Sequence, residues 1–334
     1  MKNKLIIFSF ISIFVLVGCG CGCNSIFNNN TNKSDNSKIE DTKNKREETK
    51  SVKLDILVSD KFLYQCVKNI DGGKHNVDYI FRTQQGENII KQYYDIDYSP
   101  DLYIYDEFNY KGLNNRYIDK IQENKVGLIN ASRGINQLTY YKNVVTLGKK
   151  NECLFWNNID NYKIVLVNIK NAIVERDPKN RNYYEKNFNT ILKNLEKDED
   201  FFSEKSKKID DTLCILEGSN LNYIMAYAGI ETISVFQDEK KELDPSKDKG
   251  SKSMENEQLR KVLNEKYKDK EKIVLIYYSD DFLKNNEKII SQFNIKCIKV
   301  NKINMDIQYS QLIKYEKNIF DTILNFFTND NIEV

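Results

Sequence analysis

Histidine is almost missing from this sequence, with one residue, His75, in 334. That scarcity excludes an enzyme built on a Ser/His/Asp or Cys/His pair, because no such arrangement and no glycine-rich phosphate loop accompanies the single imidazole. It also excludes a metal centre made of several imidazoles. An excess of one charge is missing too. Lys and Arg number 51 against 49 Asp and Glu, a formal net charge of +2, so no basic field points to nucleic acid. Proline occurs three times and tryptophan once, at Trp156. The longest apolar run is Leu5 to Val17, interrupted by Ser9 and Ser12, and it is too short to span a bilayer as a permanent helix.

What is present fits a globular body with a leader. Charged residues make up 30% of the chain and hydrophobic residues 40%, and the length suits one two-lobed protein or two small domains. Lys2 and Lys4 precede the apolar run as a positive n-region. Leu16-Val17-Gly18-Cys19 then looks like the lipobox of bacterial lipoproteins. That resemblance implies a signal peptide over 1–18, cleavage before Cys19 and a diacylglycerol, with palmitate, on the Cys19 thiol. Cys21 and Cys23 follow closely and have no assigned role. Residues up to 51 are rich in Asn, Lys, Ser and Glu and hold almost no apolar side chain after Phe27. Such a segment cannot bury enough surface to fold, so 19–51 is expected to be a lipidated tether on the extracellular face of a bacterial membrane, with the lipid as the only membrane contact.

From residue 52 strands and helices alternate. Strands are expected at 53–59, 76–81, 101–105 and 125–130, and again at 212–216, 231–236, 272–278 and 295–300. Asp60 is placed to cap the first helix, and Gly72-Gly73 to end it. Ile159, Tyr162, Leu166, Ile169 and Ile173 recur at helical spacing, as do Tyr184, Phe188, Ile191, Leu195 and Phe202. Only Asp177-Pro178 interrupts, so 158 to about 208 reads as two consecutive helices, with a last helix over 308–327. Residues 237–254 read as a charged loop without periodicity. The fold class is therefore α/β: two lobes, each a mainly parallel sheet flanked by helices, joined by a long helix. The expected divisions are an N-terminal lobe over 52–177, a linking helix over 178–208 and a C-terminal lobe over 209–334. The ligand cleft is expected at the C-terminal ends of the strands.

Several stretches resemble the zinc/manganese ABC-importer substrate-binding lipoproteins, in the order that family has them. They are "IDGGKHNVDYI" (70–80), "SPDLYIYDEFNYKGL" (99–113), "SRGI" (132–135), "NAIVERDPKNRNYYEKNFNTILKNLEK" (171–197) and "NYIMAYAGI" (222–230). The resemblance covers roughly 52–328. It implies a helical-backbone solute-binding protein, a monomer that serves an ABC permease and is not an enzyme.

The family's ligand positions are altered. Its "DPH-x-W-x-DP" segment falls on "ECLFWNNID" (152–160), which sets Trp156 on the family Trp and Leu154 on the metal-binding His. Glu152 falls on the first Asp, Cys153 on the Pro and Asn158 on the second Asp. By family position the cleft is lined by Gln85, Leu154, Trp156, Glu217 and Asn301, with Gln85 where the first His belongs and Asn301 in a segment lacking the fourth, acidic ligand. Leucine cannot coordinate a metal. The remaining metal candidates are Glu217, Glu152 and Cys153. Glu217 is otherwise a polar lining or capping group, and Cys153 a small buried hydrophobe. His75 reads as a solvated turn residue, Asp280-Asp281 as an N-cap, and Cys66, Cys214 and Cys297 as core; cysteine spacing alone neither requires nor forbids a Cys153–Cys214 disulfide across the cleft. The expected function is delivery of zinc or manganese to an importer with weak or altered binding. The alternative is a degenerate paralogue acting as an adhesin or other surface interaction protein, or binding a non-metal ligand.

Overall fold

Ile56–Val58 and Leu102–Ile104 are apolar without alternation, which suits strands covered on both faces, and all six residues are buried. They belong to the first of two sheets in the computed structural model, which describes residues 53–81, 99–109, 111–121, 126–147, 154–218, 220–236, 249–303 and 307–328. The first sheet holds β1 (Asp55–Asp60), β2 (Asn76–Phe81), β3 (Leu102–Tyr105) and β4 (Gly127–Asn130) in the order β2-β1-β3-β4, all parallel. Helix α1 (Lys61–Asp71) joins β1 to β2, and α2 (Lys111–Ile121) joins β3 to β4. The Asp60 side chain caps α1 by accepting from Leu63 N at 3.0 Å, as expected. Gly72 ends α1 with φ of +61°, a left-handed conformation natural to glycine, and an added Cβ would strike the Tyr183 hydroxyl.

The second sheet holds β5 (Val144–Leu147), β6 (Thr212–Glu217), β7 (Glu231–Val235), β8 (Lys272–Tyr277) and β9 (Lys296–Lys299) in the order β5-β7-β6-β8-β9, again all parallel. The segment 52–177 therefore does not all belong to the first lobe. β5 crosses over to form the edge of the second sheet, pairing Val145 with Ile233. Four residues carry too weak a pattern to assign a strand to one sheet or the other.

After β5 the chain returns to the first lobe as α3 (Ile159–Arg176), which packs on α1 and β4. Asn158 caps α3 by accepting from Asp160 N and Asn161 N, at 2.9 and 3.2 Å. A short turn at Pro178–Asn180 separates α3 from α4 (Arg181–Lys208), the long linking helix. α4 buries Tyr184, Leu195 and Phe202 and touches α1 at one end. Along its length it also meets α9 (Tyr309–Thr328), the last helix, reached through α5 (Asn222–Tyr227), α6 (Lys249–Lys266), α7 (Asp280–Asn285) and α8 (Glu287–Gln292). Full burial of each such aromatic or aliphatic side chain is worth about 1.5–3 kcal/mol. One continuous apolar cluster runs from Phe62 through Trp156, Ile173 and Phe202 to Phe320, so α3 and α4 share their core with both sheets.

Three local expectations need correction. Residues 249–254 are helical, because Leu259 and Leu263 face the core one turn apart and the helix extends backward from them; 237–248 lie outside the described residues. The cap of α7 is Ser279, whose hydroxyl accepts from Phe282 N at 3.3 Å, while Asp280 and Asp281 occupy the first turn. His75 is not solvated but 4% exposed. Its Nδ1 accepts the Leu54 N–H at 3.3 Å, which puts the ring proton on Nε2. Nε2 stands 2.9 Å from the Tyr184 hydroxyl, which donates to Asp177 Oδ2 at 2.6 Å. The turn into β2 is thus pinned beneath α4, which a sequence search for turn residues does not show.

Candidate functional site

At the C-terminal ends of the strands, Asp60 and Asp106 finish or follow β1 and β3 of the first sheet, and Glu217, Tyr278 and Asn301 finish or follow β6, β8 and β9 of the second. Trp156 enters from a short helical turn, Phe155–Asn157, at the start of α3. It is 2% exposed and stacks on Phe62 with ring centroids 4.0 Å apart and planes at 12°. Phe155 meets Phe108 at 4.9 Å and Phe62 edge-on at 6.3 Å. The lone tryptophan is therefore a packing residue that ties α1 to α3, as its place in the family pattern implies. Leu154 is 1% exposed and belongs to the same apolar cluster. The position expected to hold an imidazole is part of the hydrophobic core.

Glu217 is the one metal candidate within the described residues; Gln85, Glu152 and Cys153 lie outside them. Glu217 is 6% exposed at the end of β6. Its Oε2 accepts two backbone N–H groups, from Tyr278 at 2.8 Å and Ser279 at 2.9 Å. Burial pushes its carboxyl above the ordinary glutamate value, opposed by those two N–H groups and by the charge of Lys302. Lys302 also lies over the Tyr278 ring, 5.4 Å from its centroid. Glu217 and Asn301 do come together: with Asn220, Tyr278 and Tyr315 they line a cavity of about 10 Å³, the size of one water position. The Asn301 carbonyl accepts from the Tyr315 hydroxyl at 2.9 Å. Asn157 Nδ2 donates to the Asn220 carbonyl at 2.6 Å, which fastens the Trp156 turn to the loop after Glu217.

Among the described residues no three His, Cys, Asp or Glu side chains cluster closely enough to hold a metal ion. Cys66 and Cys214 are buried free thiols and Cys297 is half-buried and free, while Cys153 lies outside the described residues. The Tyr278 and Ser279 amides and the nearby Lys302 ammonium were not legible in the sequence, because backbone donors carry no residue signature and a lysine in a loop looks solvated. The same holds for the buried acids Asp60 and Asp106, whose pairing depends on two strand ends far apart in the chain.

No helix among the described residues is long and apolar enough to cross a membrane. The family model described as ZnuA, zinc-uptake complex component A periplasmic, matches residues 56–276. The manganese ABC transporter substrate-binding lipoprotein PsaA of Streptococcus anginosus is 25% identical over 181 residues, which are 49% of this chain and 55% of the relative. The match thus spans little more than half of that relative's length. Among solved structures, the Zn(II)-bound ZnuA-like domain of Streptococcus pneumoniae AdcA superposes with a TM-score of 0.57 at 12% identity, covering 82% of this chain and 100% of that one. The laminin-binding protein Lbp of Streptococcus pyogenes gives 0.56 at 15%, covering 81% and 99%. The metal-dependent lipoprotein YcdH of Bacillus subtilis gives 0.53 at 17%, covering 83% and 99%. At such identities the likeness shows the fold, two parallel-sheet α/β domains flanked by helices. With the family pattern matched from β1 to β8, this chain belongs to the ZnuA-type family of zinc/manganese ABC-importer substrate-binding proteins.

Proposed function

We propose that this chain is the lipid-anchored, extracytoplasmic solute-binding component of a zinc- or manganese-type ABC importer, and that it takes its divalent cargo weakly. The observation that carries the weakness is the state of Glu217. Its Oε2 is already shared by two backbone N–H groups, and Lys302 brings a positive charge beside it. A divalent ion would compete with those contacts for the carboxylate's charge and approach an ammonium, in a space of about 10 Å³. Leu154 in the core supports the same reading, since it offers no donor where the family supplies imidazole. The permease and ATPase partners are those with which the family works, and the monomeric state follows the family expectation. Metal analysis and titration calorimetry on the full chain test the proposal. Micromolar or weaker zinc and manganese affinity is expected, and nanomolar affinity through Glu217 would overturn it.

The anchor at Cys19 rests on Leu16-Val17-Gly18-Cys19 alone. Incorporation of labelled lipid should vanish in Cys19→Ala while Cys21 and Cys23 remain; labelling at the wild-type level would reassign the acylated thiol. A second reading, a paralogue that binds a surface partner or a non-metal ligand, is favoured by the lack of a three-residue metal cluster among the described residues. Undetectable binding of either metal, with the fold intact, would select it over transport.

A further inference from the structure

A second and far larger cavity, about 830 Å³, opens between α1, α4 and α9, on the side of the linking helix. Its volume falls in the range of sites that enclose a small organic molecule. The cavity is lined by α1 from the first lobe, α9 from the second, α4 joining them, and Tyr162 of α3. Aromatic rings form its floor. Tyr162 and Tyr309 stack at 3.8 Å with planes at 17°, and Phe62 meets Tyr162 at 5.9 Å. Its charges are not balanced. Asp198 is already paired with Lys317 at 2.7 Å, while Lys68 of α1 and Lys314 of α9 also line the space and make no ion pair among the described residues. Two cations over an aromatic floor suit a ligand that carries a ring to lie on the floor and an anionic group to meet the lysines.

We propose that this cavity is a binding site for a small aromatic carboxylate, distinct from the cleft around Glu217. The ring takes the place of water against the half-buried Tyr309, behind which Tyr162 and then Phe62 are packed. The carboxylate bridges Lys68 and Lys314, and so bridges the two lobes. Phe62 lies between this site and Trp156, on which it stacks. An occupant therefore presses on the one tryptophan of the chain, which supplies an optical readout.

The test uses the full chain and three probes followed by calorimetry and by Trp156 emission. 4-Hydroxybenzoate should bind saturably and shift the emission. 4-Hydroxybenzyl alcohol, the same ring without the charge, should bind at least about tenfold more weakly, and citrate, charge without a ring, should leave the emission unchanged. Replacing both Lys68→Met and Lys314→Met, at partly exposed positions that leave the core intact, should erase the preference for the acid over the alcohol. Glu217→Gln should change nothing at this site. The proposal is overturned by absence of saturable 4-hydroxybenzoate binding up to roughly 10 mM. Equal affinity for acid and alcohol, an unaffected double lysine variant, or loss of binding in Glu217→Gln would each overturn it as well.

Discussion

The buried carboxyls of Asp106 and Asp60 are neighbours at the C-terminal ends of β3 and β1, and each shifts the other's ionisation. Asp106 is fully buried, and its Oδ1 accepts from Phe108 N at 2.8 Å and Asn109 N at 2.6 Å. Its Oδ2 meets no N–H or hydroxyl donor. Two buried neighbouring carboxylates resist ionising together, so the pair keeps a proton above the pH at which a free aspartate loses it. Burial, then the neighbouring Asp60 charge, raises the Asp106 carboxyl well above the ordinary aspartate value. A raised acid stabilises the fold fully below its unfolded value of 3.8, and that stabilisation is lost as pH rises through the folded value. Asp106→Asn supplies the missing donor permanently. It should stabilise the protein at pH 7–8 by at least about 1 kcal/mol and flatten the decline of the melting temperature with rising pH. A variant less stable than the parent at every pH would show that the pair keeps no such proton.

Leu154 offers a direct way to restore a ligand. Leu154→His should cost on the order of 1–3 kcal/mol without metal, because a polar ring enters the core. It should also tighten zinc binding at least about tenfold, so that zinc raises the melting temperature of the variant more than that of the parent. Leu154→Ala should cost about 2–5 kcal/mol with no gain in affinity. Equal zinc responses in parent and Leu154→His would place this position away from the metal path.

At Glu217 charge and geometry separate cleanly. Glu217→Gln keeps an oxygen for Tyr278 N and Ser279 N but removes the negative charge, so it should fold nearly as well and lose residual divalent binding. Glu217→Ala leaves both amides without an acceptor and should cost a further ~1–3 kcal/mol. Lys302→Ala should tighten divalent binding several-fold at low salt, with the gain shrinking as ionic strength rises. These comparisons are read by calorimetry and thermal unfolding.

The chain His75–Tyr184–Asp177 has its own acid signature. Burial raises the Asp177 carboxyl, but hydrogen bonds from Tyr184 and Asn180 outweigh it and hold the group below the usual aspartate range. A lowered acid contributes stability above its unfolded value, and this contribution is lost as pH falls through the folded value. Tyr184→Phe removes the strongest of these donors. It should destabilise the protein at neutral pH and lessen its further loss of stability between about pH 4 and 2. An acid unfolding curve identical in shape to the parent's would show that Asp177 gains nothing from Tyr184.

The regular elements were legible because their patterns are local. Ile159 to Ile173 and Tyr184 to Phe202 keep a helical period, Asp60 and Gly72 mark both ends of α1, and the apolar runs give the central strands. Trp156 was legible as packing because its neighbours matched a family segment. What stayed hidden depends on partners distant in sequence. His75 is buried by α4, more than a hundred positions later, and Glu217 is occupied by amides from the end of β8. The coupling of Asp60 to Asp106 needs two strand ends to meet, and no spacing rule reports that.

The crossing made by β5 also bears on how the protein is born. Val144–Leu147 leave the ribosome well before Glu231–Val235, the strand they pair with, and α3, α4 and β6 are synthesised in between. The first sheet can close early, yet the chain must carry an unpaired edge strand until the middle of the second sheet arrives. Pairing at such sequence separation is intrinsically slow. Neither lobe can then be excised as a self-sufficient fragment, since cutting at the linking helix strips the second sheet of its edge. The two halves mature together, and a stalled or truncated chain exposes β5 to whatever strand it meets first.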